Sequence, residues 1–571
     1  MNDVIQRTYK WLSETYDAAT RQEVKNMIET QSDQLVDAFY KDIEFGTGGM
    51  RGIMGVGTNR MNRYTVGTTT LGLARYLKKR FQKKNLKVVI AHDVRQNSDV
   101  FAHTAAAILS TEQIKVYLFR AFRPTPELSY AVRRLYCQAG IVLTASHNPP
   151  EYNGYKIYGQ DGSQVVAPDD QDIMDEIQKI RVEDLSFEAD PSVIHYIGAE
   201  IDRAFIKACV KHASFTSEGK QELRIVFTPL HGTSVTITPE AFRQAGFEKV
   251  FLVEDQAVPD GKFSTVVSPN PEDPKAFSMA LTLAEAQQAD IVLGADPDAD
   301  RLGVATHDET GKMTLLSGNQ TNTLLIYYLL ERWKEQGRLN EKTFIVSTVV
   351  SSDIFSDLAK AFGVTCKISL TGFKWIAQLI REAEGKERFI GGGEESFGFM
   401  VGDFVRDKDS VTPMLLISEI AAVAKAHGST LHEKLLQIYT KIGCYQEQLI
   451  SLIRKGADGA AEITQMIKQW REDPPKKIGG TRVISIEDYQ YSIKKNLLTG
   501  TEHPLTLPQS NMLIYRTENG TKIAMRPSGT EPKIKFYFSA KASLNRTEDY
   551  TSVKNALNYK IQNIIREMKL S

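Results

Sequence analysis

The stretch KVVIAHDVRQNSDVFAHTAAAILSTEQIKVYLFR, residues 87–120, places a helical segment between two short apolar runs. KVVIAHD (87–93) and VYLFR (116–120) have the length and the β-branched content of buried strands. DVFAHTAAAILSTEQ (99–113) has the pattern of a helix. Short strands joined by a helix favour a parallel or mixed sheet that helices cover, so the stretch predicts an α/β fold.

The same alternation recurs along most of the chain. Further candidate strands are 139–146, 223–230, 249–255, 289–296 and 342–348, and a long helical pattern covers 319–337. A chain of 571 residues is too long for one core and suggests three to five domains. Turn-rich patches near 190–205, 310–320 and 472–480 are candidate domain boundaries.

The C-terminal part has a different pattern. KIAMR (522–526) and KIKFYFSA (533–540) flank RPSGTEP, and apolar and polar residues alternate in the second run. This alternation predicts a half-exposed hairpin with an elaborated turn. A helix is expected to follow at 547–569.

Composition excludes several classes of protein. Lys+Arg and Asp+Glu both number 70, so no global charge indicates nucleic acid or anionic lipid as a partner. The first residues, MNDVIQRTYKWLSETYDAAT, lack the apolar core of a signal peptide, and no run approaches a membrane span. The four cysteines are far apart and form no CxxC, which argues against a zinc site, a redox pair or a disulfide scaffold. We therefore expect a reduced, cytoplasmic protein without nucleic-acid or membrane partners.

The segment ADPDADRLG (295–303) predicts a metal site. Asp296, Asp298 and Asp300 follow a predicted strand, so their carboxylates can converge on one hard cation. An EF-hand also begins D-x-D-x-D, but Arg301 and His307 stand where it requires glycine and glutamate. Mg²⁺ keeps positions open for a phosphate oxygen, and Arg301 could hold another oxygen of the same group.

Three further loops have residues that suit a phosphorylated sugar. FGTGGMRG (45–52) is rich in glycine and carries Arg51, so its backbone can approach an anion closely. RPSGTEPK (526–533) collects hydroxyls, backbone donors and two cations, a set suited to a dianionic phosphate. GGGEESFG (391–398) offers two carboxylates and a hydroxyl that can read sugar hydroxyls, and RDKD (406–409) adds Arg406 and Lys408.

The segment TASHNPPEYNGYKIYG (144–159) raises the question of what Ser146 does. Ser146 precedes His147, but no G-x-S-x-G elbow frames it, so an acyl-transfer nucleophile is disfavoured. Next to a metal site and phosphate-binding loops, a serine is better interpreted as a phosphoryl carrier. Neither a Walker A loop nor the kinase HRD and DFG motifs occur, so nothing indicates a nucleotide donor.

Taken together, these motifs resemble those of the α-D-phosphohexomutases, most closely the bacterial α-phosphoglucomutases. FGTGGMRG, TASHNP with NGYK, DPDADR, TGFKW, GEESFG with RDKD, and RPSGTEPK follow in the family's order along nearly the whole chain. The resemblance implies four domains around a central cleft: three related α/β domains with mixed sheets and a C-terminal α+β domain like the TATA-box-binding protein. We expect their boundaries at 1–200, 201–315, 316–445 and 446–571.

The resemblance also implies roles for individual residues. Ser146 corresponds to the phosphorylated serine, and it would complete the Mg²⁺ site formed by Asp296, Asp298 and Asp300. Catalytic positions are Ser146, His147, Arg51, Lys156 and Lys408, with His147 and Lys408 as proton-handling groups. Substrate-binding positions are Arg301, Lys374 of TGFKW, Glu394, Ser396, Arg406, Arg526, Ser528, Gly529, Thr530 and Lys533.

The implied activity interconverts glucose 1-phosphate and glucose 6-phosphate. Phosphorylated Ser146 would donate to the sugar, giving glucose 1,6-bisphosphate, and would then recover the other phosphate. One Mg²⁺ per chain and glucose 1,6-bisphosphate as activator are expected.

The alternatives are phosphomannomutase or phosphopentomutase with the same mechanism, since TGFKW and FVRDKD also resemble the pentose branch. A silent sugar-phosphate-binding regulator would be expected to lack Ser146 or a metal aspartate, and phosphate-binding loops at both ends argue against a metal-dependent phosphatase. The sequence leaves monomer and dimer equally open.

Overall fold

The computed structural model describes residues 2–46, 49–82, 85–454, 456–528 and 533–570. They form three α/β domains with mixed sheets and a fourth, sheet-rich C-terminal domain. The chain divides into two compact units. The first unit is Met1–Thr321, Ala377–Glu384 and Ser396–Gly428, and the second is Asn322–Ile376, Gly385–Glu395 and Ser429–Ser571.

The helices of the described residues are α1 (Asn2–Lys10), α2 (Ala18–Glu29), α3 (Gln34–Phe39), α4 (Arg63–Phe81), α5 (Ser98–Thr111), α6 (Thr125–Arg134), α7 (Asp169–Ile177), α8 (Ala199–Ala213), α9 (Thr238–Ala245), α10 (Glu254–Ala257), α11 (Ser278–Gln287), α12 (Gly318–Glu335), α13 (Ile354–Phe362), α14 (Phe373–Ala383), α15 (Val411–Ala426), α16 (Leu431–Ile442), α17 (Gly456–Glu472) and α18 (Tyr550–Glu567).

The strands of the same residues are β1 (Phe45–Gly46), β2 (Gly49–Ile53), β3 (Lys87–His92), β4 (Lys115–Phe119), β5 (Ala139–Leu143), β6 (Tyr152–Gly159), β7 (Ile194–Ile197), β8 (Arg224–Thr228), β9 (Lys249–Leu252), β10 (Ile291–Ala295), β11 (Leu302–His307), β12 (Met313–Leu315), β13 (Thr343–Thr348), β14 (Thr365–Ser369), β15 (Arg388–Gly393), β16 (Phe399–Val401), β17 (Cys444–Ile453), β18 (Lys477–Ile478), β19 (Thr481–Asp488), β20 (Ile493–Asn496), β21 (Glu502–Pro504), β22 (Leu513–Thr517), β23 (Lys522–Pro527) and β24 (Lys533–Ala542).

The first sheet confirms the strand–helix–strand prediction for residues 87–120. Its order is β1-β2-β6-β5-β3-β4-β7, with β5, β3, β4 and β7 parallel and β6 antiparallel to β5. Val88 and Ile90 of β3 belong to one core, while Val89 and Ala91 belong to another. Successive side chains of a strand point to opposite faces, so this sheet is buried on both sides. That burial explains the continuous apolar run in the sequence.

The second sheet, also in the first unit, has the order β12-β11-β10-β8-β9. Strands β9, β8 and β10 are parallel, and β11 and β12 form an antiparallel pair. Strand β10 lies between β8 and β11 and ends at Ala295, directly before the three aspartates. The sheet therefore fixes the start of the aspartate loop.

In the second unit, β14, β13 and β15 form parallel pairs in that order. The C-terminal sheet is antiparallel, in the order β17-β24-β23-β22-β19-β20-β21, and β18 pairs with β19. Among the described residues, no helix is both long and apolar enough to cross a membrane. The four cysteines are free thiols.

The prediction of a half-exposed hairpin at 522–540 was wrong about the exposure. Strands β23 and β24 do pair antiparallel, but Tyr537 is buried on the face predicted to be exposed, where it packs with Val349, Leu370 and Ile514. Strand β24 lies inside the sheet, between β17 and β23. The alternation of apolar and polar residues in its sequence does not indicate the residues that pack against its second face.

Candidate active site

Ser146 lies in the loop that joins β5 to β6, and its hydroxyl is directed at the aspartate loop. The side-chain Oγ donates a hydrogen bond to Asp296 Oδ2 at 2.8 Å. The backbone N–H donates to Thr144 Oγ1 at 2.9 Å, and φ is +53°, in the left-handed region. The sequence separation of Ser146 and Asp296 is 150 residues, so the fold brings the predicted carrier to the predicted metal loop.

The three aspartates converge after β10. One ligand atom from each lies within 4.8 Å of the others, and all three residues are buried. The turn is closed by the backbone N–H groups of Asp300 and Arg301, which both donate to Asp296 Oδ1 at 3.0 Å. Asp298 Oδ1 and Asp300 Oδ1 are buried and accept no hydrogen bond from any described residue. A bound cation would satisfy both oxygens, so this group could hold a metal ion.

The charge of the aspartate group is uneven. Burial and repulsion by Asp300 and Asp298 raise the pKa of Asp296 well above its usual range. Burial also acts to raise the pKa of Asp298, but Lys156 and Lys408 outweigh it and hold that pKa below its usual range. Lys156 Nζ lies 2.8 Å from Asp298 Oδ2 and 3.5 Å from Asp300 Oδ2.

Lys408 approaches the aspartates from the RDKD segment. Its Nζ lies 2.8 Å from Asp300 Oδ2 and 3.3 Å from Asp407 Oδ1. Burial acts to lower the pKa of Lys408, but the two carboxylates raise it above the usual lysine value, so the ammonium stays charged. Asp407 also accepts a hydrogen bond from Tyr158 at 2.6 Å. Sequence analysis missed Asp407 and Tyr158, although Asp407 stands inside a motif that it had selected.

Arg301 is held by two groups from distant segments. Its Nη1 donates to Glu272 Oε1 at 2.5 Å and to the Ser396 carbonyl at 3.1 Å. Ser396, a predicted sugar-contacting residue, thus meets the arginine of the aspartate loop within the first unit. Sequence analysis missed Glu272, which lies in a turn without a recognisable motif.

Arg51 and His147 both contact groups of the Ser146 loop. Arg51 Nη1 donates to Asn148 Oδ1 at 3.1 Å, and His147 Nδ1 is 3.2 Å from Ser146 Oγ. Burial, followed by the charges of Arg301 and Arg51, lowers the pKa of His147 to about 2. The imidazole of this structure is therefore neutral at pH 7 and is a weak base as long as the cations dominate its surroundings.

Two further residues that sequence analysis missed brace the site. The Thr125 hydroxyl donates to Asp298 Oδ2 at 3.0 Å, and its N–H donates to the Asp298 carbonyl at 2.9 Å. Arg95 donates to carbonyl groups of the Ser146 loop. A Thr-Pro pair at the start of a helix is a possible sequence signal for Thr125, whereas nothing in the sequence connects Arg95 to the loop.

Arg406, a predicted substrate-binding residue, has partners other than the three aspartates. It is buried, its Nη2 is 3.3 Å from Glu384 Oε1, and its backbone N–H donates to Ser129 Oγ at 2.9 Å. Arg406 and Lys408 stand two residues apart in RDKD but have different partners. Lys408 extends toward Asp300, whereas Arg406 is neutralised by the acidic residues around it.

In the second unit, the fold brings TGFKW and the start of GEESFG together. Glu394 Oε1 accepts a hydrogen bond from the Gly372 N–H at 2.6 Å, and Lys374 is two residues further along. Glu395 Oε2 accepts a hydrogen bond from Ser351 at 2.9 Å. A backbone N–H thus positions Glu394. Ser351, which sequence analysis missed, positions Glu395.

Three of the predicted phosphate-binding residues lie where β23 ends and β24 begins, in the second unit. Arg526 belongs to β23, Lys533 begins β24, and the Ser528 N–H donates to the Lys533 carbonyl at 2.7 Å. Arg526, Ser528 and Lys533 are half-buried, so they retain access to solvent. Gly529 and Thr530 lie outside the described residues.

Three domain families match the chain in succession. They are described as phosphoglucomutase/phosphomannomutase alpha/beta/alpha domain I at residues 42–184, domain II at 203–311 and domain III at 317–441. The three matches follow the three α/β sheets, and the C-terminal sheet lies beyond them.

Individual relatives agree with these matches. A protein of Staphylococcus aureus strain USA300 named phosphoglucomutase is 40% identical over 531 residues, which cover 91% of this chain and 93% of the relative. A solved phosphoglucomutase/phosphomannomutase family protein of Burkholderia thailandensis has a TM-score of 0.65 at 17% identity, covering 92% of this chain and 97% of its own. Parafusin of Paramecium has a TM-score of 0.65 at 15% identity, covering 92% and 96%. The two structures show a shared fold.

Proposed function

The chain belongs to the phosphoglucomutase/phosphomannomutase family of isomerases, and we propose that it is a phosphoglucomutase that interconverts glucose 1-phosphate and glucose 6-phosphate. The observation that carries the proposal is the hydrogen bond of 2.8 Å between Ser146 Oγ and Asp296 Oδ2. It joins a nucleophilic hydroxyl to a group of buried carboxylates that could bind a metal.

Mg²⁺ suits this group because its ligands are oxygens and two buried oxygens accept no hydrogen bond from the described residues. Asp296, Asp298 and Asp300 would hold it, together with an oxygen on Ser146. When bound, Mg²⁺ neutralises charge on the phosphoryl group that is transferred.

The first transfer moves the phosphoryl group from Ser146 to the sugar. The bond between Ser146 Oγ and phosphorus breaks as the bond between the 6-hydroxyl oxygen and phosphorus forms, which gives glucose 1,6-bisphosphate. The proton of the 6-hydroxyl passes to a neighbouring base, and Ser146 Oγ is protonated as it leaves phosphorus. His147 is the candidate for the base, because the negative charge of a phosphoryl group beside it would raise its pKa. Lys156, Arg51 and Arg301 would orient the phosphoryl oxygens, because cations close to the transferring group stabilise its charge.

The second transfer restores the enzyme. The bond between the 1-oxygen of the bisphosphate and phosphorus breaks as the bond between Ser146 Oγ and phosphorus forms. The proton of Ser146 passes to the base, the 1-oxygen is protonated, and glucose 6-phosphate is released. In this proposal Glu394, Ser396 and Lys374 bind the sugar, and Arg526, Ser528, Gly529, Thr530 and Lys533 of the RPSGTEPK motif bind the phosphate that is not reacting. Because either phosphate can occupy the second position, one binding site serves both half-reactions.

The test is turnover of Ser146→Ala beside the wild-type enzyme. Glucose 1-phosphate, mannose 1-phosphate and ribose 1-phosphate are supplied in turn with Mg²⁺ and glucose 1,6-bisphosphate. We expect turnover of glucose 1-phosphate by the wild type, an intact mass that shows one added phosphoryl group, and neither in Ser146→Ala. Activity that survives the substitution would refute the carrier, and a preference for mannose or ribose phosphate would change the substrate.

A further inference from the structure

The backbone at Ser146 adopts a conformation that needs support. Its φ of +53° is in the left-handed region, which is disfavoured for a residue with a Cβ. Such a conformation persists only where surrounding contacts determine it. At Ser146 it points the hydroxyl at Asp296, so the contacts that maintain it also maintain the geometry of the reacting oxygen.

Arg95 donates four hydrogen bonds to the backbone of the segment that Ser146 begins. Its Nη2 donates to the carbonyl oxygens of Ser146, at 2.6 Å, and Asn148. Its Nη1 donates to the carbonyl oxygens of Pro149, at 2.7 Å, and Tyr152, at 3.1 Å. One guanidinium therefore binds four carbonyl groups in a span of seven residues, from the serine itself to the first residue of β6.

Contacts with Asp93 and Phe263 fix the position of Arg95. Asp93 Oδ1 accepts hydrogen bonds from the Arg95 N–H at 2.9 Å and from Ser98 Oγ at 2.6 Å. Asp93 Oδ2 lies 3.3 Å from Arg95 Nε, and the guanidinium carbon is 4.9 Å from the ring centre of Phe263. The side chains of Arg95 and Asp93 are both 0% exposed, so Arg95 has no surface to offer a substrate.

We propose that Arg95 is a positioning residue for phosphoryl transfer, which holds the 146–152 loop so that Ser146 Oγ stays against the aspartate group. The inference rests on the proposed role of Ser146 as the phosphoryl carrier. Because Arg95 acts on the backbone that carries the reacting oxygen, its loss should affect the chemical step more than the binding of substrate.

Arg95→Lys separates positioning from simple structural support. Lysine keeps the charge, but a single ammonium cannot reproduce a planar fork that spans four carbonyls. Arg60→Lys is the matched control, since Arg60 is also a buried arginine that donates to carbonyl oxygens, those of Asp37 and Asn59, away from the site. Both variants are measured for melting temperature and for kcat and KM with glucose 1-phosphate.

We expect Arg95→Lys to lower kcat about 100-fold, the scale of a misplacement of about 1 Å, with KM changed by less than about 3-fold. Arg60→Lys should keep kcat within about 2-fold of wild type, even if its melting temperature falls as far as that of Arg95→Lys. A kcat for Arg95→Lys no lower than that for Arg60→Lys would overturn the inference.

Chemical rescue gives a second measurement. In Arg95→Gly, guanidinium chloride at tens of millimolar should restore kcat at least about 10-fold, whereas sodium chloride at the same concentration should not. Equal effects of the two salts on the kcat of a folded Arg95→Gly variant would overturn the inference. If Arg95→Gly does not fold, the kcat of Arg95→Lys decides the question. The proposed function fails separately, if Ser146→Ala keeps wild-type turnover.

Discussion

At the scale of single residues, the aspartate group determines the chemistry of the site. Three buried carboxylates repel one another, and the ammonium groups of Lys156 and Lys408 compensate part of that charge at Asp298 Oδ2 and Asp300 Oδ2. The Oδ1 atoms of the same two aspartates have no hydrogen bond from the described residues. The remaining negative charge is thus concentrated on oxygens suited to a divalent cation.

Asp298→Asn should therefore weaken metal binding directly. The amide oxygen is a poorer ligand than a carboxylate, so we expect Mn²⁺ affinity to fall at least about 10-fold and turnover with Mg²⁺ to fall with it. Free Mn²⁺ measured by electron paramagnetic resonance during a titration gives the affinity without an activity assay. Asp255→Asn, at an exposed aspartate outside the group, is the control, and equal Mn²⁺ affinity in both variants would contradict the assignment.

At the scale of the elements, the functional side chains lie where strands end or helices begin. Ser146 follows β5, the aspartates follow β10, and Thr125 begins α6. Helix α15 begins at Val411, three residues after Lys408, and Asp409 lies two residues before the helix. Asp409 Oδ1 accepts a hydrogen bond from the Val411 N–H at 2.8 Å, and Oδ2 accepts from the N–H and hydroxyl of Thr412.

The titration of the Asp409 carboxyl group should make the stability of the protein depend on pH. Its burial raises the pKa to about 6 from the usual 3.8. A folded-state pKa above the unfolded value means that the stabilisation is complete below about pH 4 and is lost as pH rises through about 6. The loss is at most about 3 kcal/mol for a shift of this size.

Asp409→Asn should remove this contribution, because an amide does not titrate. Melting temperatures at pH 4.5 and pH 7.5 are compared for variant and wild type, and the variant should gain stability relative to wild type as pH rises. The same pH dependence in both proteins would show that another group is responsible.

At the scale of the whole molecule, each compact unit has cross-links between its own domains. In the second unit, Asp353 joins the third sheet's domain to the C-terminal sheet. Arg516 Nη1 donates to Asp353 Oδ2 at 2.6 Å, and Lys522 Nζ donates to Oδ1 at 2.7 Å. Burial acts to raise the pKa of Asp353, but the two cations outweigh it and hold that pKa below its usual range.

Asp353→Asn should destabilise the second unit, because the Lys522 side chain, 2% exposed, loses its carboxylate. Asp353 is 33% exposed, so we expect a moderate cost of about 2 kcal/mol, or roughly 4–8 °C in the melting transition of that unit. Differential scanning calorimetry measures it. Adding Lys522→Met should recover part of the loss, since the unpaired charge is then gone, and an unchanged transition in the single variant would show that the ion pair contributes little.

Much of the local structure is determined by the sequence itself. The strands β3, β4, β5, β8, β9, β10 and β13 were predicted within a few residues, because apolar runs of strand length between helical patterns are local signals. The aspartate loop was predicted for the same reason, since its three carboxylates are five residues from end to end. The order of the motifs also indicated the family and hence the fold.

The tertiary structure decided which distant residues meet. Glu272 with Arg301, Thr125 with Asp298, and Arg95 with the Ser146 loop are pairs from separate segments, and no local pattern encodes such a contact. Arg406 and Lys408 show the same limit at short range, because two residues of one motif turn toward different charges. Side-chain position depends on the burial and charge that the assembled elements supply, and those exist only after the chain has folded.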